Sequence, residues 1–318
     1  MTNAVSSLQT QVVKTLYGHQ MLAFRGDAIT KKLHRKGCYD IRTVEFIRQF
    51  LRSVNCAQSE NATPSAVYVD IGANIGNHAL PVASLCRHIY LFEPISAVAD
   101  VLSANLQNNS IGNFSLFRMA LSDHPAQVPI YIRKGNIGAS SINKELMILK
   151  GDSLEQKELI NVDTGDRVIG AQQPDRIDLI KIDVETHEAE VVAGLENTIT
   201  RHQPVIILEW NHPLTQHRFE QLRLFDTLLA RYEAVGITDN HRMEHWSNKR
   251  LGRLRRTAYH LFTQRRLQFE KFERSKLYKN IILYPREKRP LISVWDGWPI
   301  PDRRFSFKIF EKMPLLSR

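Results

Sequence analysis

Three short strings in the 318-residue chain hold residues whose types and spacing could do chemistry. VYVDIGANIGNHAL carries Asp70, Gly72, Ala73, Asn74 and Gly76. IYLFEP carries Glu93 and Pro94, and IDLIKIDVETHEAEVVAG carries Lys181, Asp183, Glu185, His187 and Glu188. Glycines at a strand end let the backbone approach a ligand with no Cβ in the way. Their spacing here differs from G-x-G-x-x-G, so a pyrophosphate-binding dinucleotide turn is disfavoured. An acidic residue just before the turn, Asp70, suits a cationic or zwitterionic ligand. An acid at the end of a second strand, as Glu93 would be, can accept hydrogen bonds from both hydroxyls of a ribose.

The third string suggests proton handling. Strand alternation puts Lys181 and Asp183 on one face and Ile180 and Ile182 on the other. Glu185 and Glu188 follow at the turn into a helix, where negative charge is worth roughly 0.3–1 kcal/mol at an exposed N-terminus. That alone accounts for Glu188. A hydroxyl nucleophile must lose its proton as it attacks, and a carboxylate or imidazole within reach can take it. The candidates are Asp183, Glu185, His187, Glu209 after the apolar run VIIL, and His212 just beyond it. In-line positioning of the reactants can carry much of the rate without any base.

These residues need a sheet to hold them. Strand-like runs occur at 67–71, 88–92, 114–120, 177–184 and 205–210, with helix-like spacing at 75–86, 96–109 and 188–199 between them. Such alternation predicts a parallel sheet with helices on both faces. Residues 128–133 offer a further strand and 135–143 a loop. A helix is expected at 216–230, with short strands at 233–238 and 280–284. Residues 1–60 read as an N-terminal helical extension, 61–285 as the main domain, and 286–318 as a C-terminal tail carrying Trp295 and Trp298.

Composition excludes several classes. The chain is 43% hydrophobic and 24% charged, ordinary for a globular protein. Cys38, Cys56 and Cys86 are too few and scattered for a disulfide framework, and no Cys-x-x-Cys pair offers a thiolate zinc site. No metal site is expected. The start, MTNAVSSLQTQVVK, has neither a basic nor an apolar leader region, and no apolar run reaches the roughly 20 residues of a membrane span. A cytoplasmic protein is expected, peripheral to the inner face of the membrane at most. The net charge is +10. Residues 241–279 alone hold twelve Lys and Arg against three Asp and Glu. Leu251, Leu254, Ala258, Leu261 and Phe262 recur there at helical spacing, which predicts a basic helical insertion at 239–279. A helix of this kind can pack as a cap, or grip an anionic membrane surface or acidic glycan.

The three strings, in this order, resemble the FkbM-type family of S-adenosylmethionine-dependent methyltransferases. The resemblance spans about residues 35–240 and the strand at 280–285. It implies an α/β, Rossmann-like fold with a seven-stranded, mostly parallel sheet whose last strand is antiparallel. It implies S-adenosyl-L-methionine as cofactor, and O-methylation of a hydroxyl on a sugar, glycan or related small molecule. Carried onto this sequence, Asp70, Gly72, Ala73, Asn74 and Gly76 line the methionine end. Glu93, with Pro94 after it, holds the ribose. Ala120 and Leu121 lie beside the adenine, with Asn105 and Ser122 as further neighbours, and Asp183 sits next to the cofactor. The GASSI string with Ser140 and Ser141 matches a loop near the pocket. Residues 155–172 match loosely. One position departs from the pattern: Thr186 stands where the family has glycine.

Two other classes remain open. The charge suggests a nucleic-acid methyltransferase, but the Asp/Asn-Pro-Pro-aromatic string of exocyclic amine methylation is absent, Cys38, Cys56 and Cys86 are poorly placed to serve as the nucleophile of pyrimidine C5 chemistry, and no RNA-binding signature is visible. A nucleic-acid partner is therefore disfavoured. Thr186 suggests instead a non-catalytic module of the same fold that binds a partner through the basic insertion.

Overall fold

The computed structural model describes residues 9–56, 63–133, 135–144, 156–238 and 266–288. It opens with an antiparallel hairpin, β1 (Thr10–Lys14) and β2 (Gln20–Phe24), followed by α1 (Ala28–Lys36) and α2 (Ile41–Cys56). The expectation of an all-helical N-terminus is thus corrected. Val12 and Val13 favour the extended chain, and Gly18, at φ 88°, turns it. Nor is this region an appendage. Val13, Met21 and Phe24 of the hairpin join Phe46, Phe50 and Leu51 of α2 in one core with Tyr68, Ile207 and Ile282 of the main sheet.

That sheet has eight strands. Five are parallel: β3 (Val67–Ile71), β4 (His88–Phe92), β5 (Phe114–Phe117), β9 (Leu179–Ile182) and β10 (Val205–Glu209). β3, β9 and β10 are buried along their whole length, as their unbroken apolar runs require when helices cover both faces. One face carries the core just described. The other packs Val69, Ile180, Ile206 and Leu208 against Val191, Leu195, Phe219 and Phe225. Those residues come from α5 (Glu188–Ala193), the turn after it, α7 (Pro213–Gln221) and α8 (Leu224–Arg231). α6 (Glu196–His202) lies between α5 and β10 in sequence.

Beyond β10 the sheet continues with β13 (Asn280–Pro285), β11 (Tyr232–Thr238) and β12 (Gln268–Lys271), each antiparallel to its neighbour. The late antiparallel strand is as expected. β12 adds an eighth strand, and it comes from the stretch expected to be helical, where residues 268–271 instead find the open edge of β11. Residues 239–265, which hold most of the basic insertion, and residues 289–318 of the tail lie outside the described residues.

Some local expectations change. Residues 75–86 form turns and a 3-10 helix at Leu80–Leu85. Pro81 has no N–H to donate and its ring would clash with the carbonyl four residues back, so an α-helix cannot run through it. The run at 114–120 is two strands: β5 stays in the main sheet, and β6 (Ala120–Ser122) crosses to a second sheet with β8 (Gln156–Thr164) and β7 (Ala126–Ile132). The chain then turns through α4 (Gly165–Gly170) toward β9. The helix between β4 and β5 is α3 (Ser96–Asn108). Among the described residues no helix is long and apolar enough to cross a membrane.

Candidate functional site

Strand order places the site. From β3 the chain steps one way to β4 and β5, and later the other way to β9 and β10. The loops after β3 and β9 therefore diverge and leave a crevice at the carboxyl ends of the strands. A cleft of about 1100 Å³, its open mouth included, occupies this point.

The first two strings fold as one unit there. Gly72 and Ala73 both donate their N–H to the Phe92 carbonyl at 3.0 Å. Asn74 donates its N–H to Glu93 Oε2 at 3.0 Å, and Ile95 donates to Glu93 Oε1 at 3.0 Å. Each carboxylate oxygen keeps acceptor capacity. Burial pushes the Glu93 carboxyl up to about 7, against the pull of the Ile95 and Asn74 N–H groups. Gly72 has φ 78°, and a Cβ on it would lie 2.0 Å from the Asp183 carbonyl oxygen. This glycine brings the first and third strings together.

Under the cleft lies a buried ion triad. Lys181 Nζ is 3.2 Å from Asp70 Oδ1 and 3.3 Å from Asp183 Oδ2. Burial raises the Asp183 carboxyl, but Lys181, with His78 and Lys279, overrides this and holds it below the usual carboxylate range. Glu209 behaves oppositely. Burial, then the charges of Asp183, Glu185 and Glu188, push it well above the usual range, and its Oε1 accepts from Asn211 Nδ2 at 2.5 Å. Two neighbouring carboxyls are thus pushed in opposite directions, Asp183 down and Glu209 up.

The turn between β9 and α5 is tight. Glu185 and Thr186 take φ 54° and 76° in succession, a region that a β-branched residue rarely enters. Glu188 holds the turn: its Oε1 accepts from the N–H of Val184 and of Thr186, each at 3.2 Å, and its Oε2 accepts from Thr215 Oγ1 at 2.9 Å. Glu188 is therefore a buried clamp rather than an exposed helix-end charge. The Thr186 hydroxyl is buried with no hydrogen-bond partner among the described residues.

Of the residues singled out from sequence, Gly72, Ala73, Asn74, Glu93, Pro94, Ala120, Leu121, Asp183, Glu185 and Glu209 line the cleft, as do His187, Ser140 and Ser141. Asp70, Gly76 and His212 do not. The Asp70 side chain is wholly buried beneath the cleft and faces Lys181. Gly76, at φ 92°, lets the turn pack on Leu80 and Leu102, which a Cβ would meet at 2.4 and 2.9 Å. His212 caps α7, its Nδ1 accepting from the Leu214 N–H at 3.2 Å. Asn105 does not line the cleft but staples the turn behind it. It accepts from Leu22 N–H and donates to the Leu22 and Ile75 carbonyls. Ser122 faces His187 Nε2 at 3.0 Å, and Glu190 stands 3.5 Å from His187 Nδ1.

Other lining residues were not singled out. Asn77 and His78 stand in the first string, where the glycines and Asp70 drew the reading, and Tyr39 and Ile29 belong to no motif. The loop carrying the 3-10 turn Ile137–Ala139 crosses the cleft. Ser141 Oγ donates to the Glu185 carbonyl at 2.6 Å, and Asp27, the N-cap of α1, accepts from Ile137 N–H at 2.8 Å. The N-terminal region is thereby a wall of the site.

The Methyltransferase FkbM domain matches residues 70–236. Hexuronic acid methyltransferase AglP of Haloferax volcanii is 28% identical over 148 residues, which cover 46% of this chain and 57% of that protein. AMB antimetabolite synthetase AmbE of Pseudomonas aeruginosa is 27% identical over 210 residues, covering 55% of this chain and 10% of the synthetase. The chain thus spans little more than half of the first relative and a small part of the second. A solved methyltransferase FkbM from Methylobacillus flagellatus aligns with a TM-score of 0.43 at 15% identity, over 80% of this chain and 50% of the other. The domain match covers just over half of the chain and contains the glycine turn, Glu93 and the Asp183 string, and on that ground the chain belongs to the FkbM methyltransferase family.

Proposed function

We propose that this protein uses S-adenosylmethionine to methylate a hydroxyl of a sugar or glycan. The observation that carries the reading is the convergence of the Gly72–Asn74 turn, Glu93, Asp183 and Glu209 in one cleft at the switch point. The donor set fits the cofactor. Glu93 has acceptor capacity on both oxygens for a ribose diol, the turn at Gly72 and Asn74 suits the methionine end, and Ala120 and Leu121 with Met119 form an apolar seat for adenine. When bound, the cofactor supplies an electrophilic methyl group on a sulfonium.

The chain's own groups do the rest. Asp183, ionised and fixed by Lys181, accepts the hydrogen bond of the acceptor hydroxyl and draws off its proton as the bond to carbon forms. Glu209, which burial and the neighbouring acids push well above the usual carboxylate range, takes up a proton more readily than an ordinary glutamate and in that form can donate to a neighbouring oxygen and orient the acceptor. The sugar class draws on the name of the Haloferax volcanii relative, which acts on a hexuronic acid.

Calorimetry with S-adenosylhomocysteine tests the cofactor. Binding is expected, and Glu93→Ala should weaken it by about tenfold or more, the worth of hydrogen bonds to a charged group. Folded protein that binds neither cofactor nor product would end the reading. Transfer of tritium from labelled S-adenosylmethionine to fractionated polysaccharide, lipid and metabolite pools then identifies the acceptor.

A further inference from the structure

The mouth of the cleft carries a constructed, positively charged rim that lies outside the matched family region. Tyr39 lines the cleft. Asn77, which follows the glycine turn, fixes its backbone from both sides: Oδ1 accepts from the Tyr39 N–H at 3.0 Å and Nδ2 donates to the Tyr39 carbonyl at 2.7 Å. Two ammonium groups stand over the same ring, Lys32 Nζ at 4.6 Å from its centre and Lys279 Nζ at 4.8 Å.

These two charges are not equivalent. Lys279 is neutralised by Asp40, whose Oδ2 lies 2.7 Å away. Asp40 is itself held in place, accepting from Thr43 Oγ1 at 2.7 Å and from Asn280 Nδ2 at 3.0 Å. Lys32 has no carboxylate within ion-pairing distance among the described residues. Lys32 is exposed, and partial desolvation, then Lys279, lower its ammonium from the usual range, with the nearby Asp40 charge partly opposing them. One surplus positive charge is thus held beside an aromatic ring at the entrance, in a position that an incoming anion would relieve.

We propose that this rim selects an acidic sugar as methyl acceptor, with Lys32 as the counter-ion of the sugar's carboxylate and Tyr39 as the wall beside it. The proposal rests on the methyltransferase reading above and names its substrate class. One surplus ammonium matches one carboxylate. A phosphate dianion would bring a second negative charge toward Asp183, Glu185 and Glu209, and the rim offers no guanidinium fork to meet it. With the carboxylate at Lys32, the hydroxyls of the same ring extend into the cleft toward Asp183, Glu185 and Glu209, which line it together with Tyr39. A neutral sugar would leave Lys32 unrelieved.

The test uses the full chain saturated with S-adenosylhomocysteine. Its affinity is measured for the methyl glycosides of glucuronic and galacturonic acid, for the corresponding neutral glucoside and galactoside, and for glucose 1-phosphate. At least one uronide should bind about tenfold or more tighter than its neutral counterpart. Lys32→Gln should shrink that preference to about threefold or less while S-adenosylhomocysteine still binds. Lys31→Gln, one residue away on the exposed face of α1, should keep it. Equal binding of acidic and neutral sugars, binding of none of them, preference for the phosphate, or a preference that survives Lys32→Gln overturns the proposal. Loss of S-adenosylhomocysteine binding by the unaltered protein is a different result: it removes the methyltransferase reading itself.

Discussion

Gly72 touches the carbonyl of Asp183 across the switch point, so closely that a methyl group at residue 72 would stand 2.0 Å from that oxygen. Two strings more than a hundred residues apart in sequence form one surface because of this contact. At φ 78° the position is also strained for any residue with a Cβ. Gly72→Ala should therefore cost about 2–4 kcal/mol of stability, the sum of overpacking and backbone strain. It should also weaken S-adenosylhomocysteine binding. Urea midpoints together with calorimetry measure both, and an unchanged midpoint would contradict the contact.

Lys181 is the only described cation within ion-pairing distance of both Asp70 and Asp183. Lys181→Met would leave the buried Asp70 carboxylate unpaired and the cleft-facing Asp183 without its ammonium neighbour, a loss of about 3–5 kcal/mol. Asp183 would then take up a proton more readily, since the Lys181 ammonium leads the charges that hold its carboxyl low. Methyl transfer by the variant should consequently fall away at higher pH than in the unaltered protein. A pH–rate profile of unchanged midpoint would show that Lys181 does not set the ionisation of Asp183.

Glu93 and Glu188 each contribute stability that falls as the pH rises, opposite in sign to the contribution of Asp183. Burial lifts both carboxyls to about 7 from an ordinary 4.5. In that interval the folded state holds protons that the unfolded chain has released. The contribution to stability is fully present below 4.5 and is lost as the pH rises through about 7, at up to about 1.4 kcal/mol per unit for each group. Glu93→Gln is neutral at every pH. The difference in its urea midpoint between pH 5 and pH 8 should be smaller than that of the unaltered protein, and equal differences would place Glu93 outside this effect.

Thr186 sits where the family has glycine, at φ 76° and with a buried, unpartnered hydroxyl. Thr186→Gly should raise stability by about 1–3 kcal/mol, because glycine adopts this backbone freely and removes the orphan oxygen. Thermal unfolding checks it. A lower melting temperature would mean that the threonine side chain contributes packing that outweighs its strain.

Much of the frame was legible in the residues. The strands at 67–71 and 88–92 have the bounds expected from their sequence, since a run of Val, Ile, Tyr and Leu buried on both faces has no competing pattern. Elsewhere local signals misled. The hairpin at 10–24 is too short for alternation to outvote the helical periodicity of 41–56. The strand run at 114–120 is broken in apolar character only by Arg118 at the point where it changes sheets, and a single exposed residue does not separate two short strands from one. β12 was invisible within a basic, helix-like segment, since an edge strand is chosen by its free neighbour.

Residue chemistry alone was enough to state which groups belong together: a glycine turn, an acid on the next strand, and a carboxylate cluster after a later one. Each depends on backbone freedom, charge and strand alternation, which are local properties. Only the tertiary structure decided which side chains reach the cleft. Asp70 points down to Lys181 because the pleat of β3 directs it there. Glu188 folds inward as a clamp, and His212 caps a helix. Tyr39, Asp40, Lys32 and Lys279 meet at the mouth because α1 and the chain before β13 converge on the same sheet edge from opposite ends of the sequence. Contacts of that range depend on packing, and no local pattern records them.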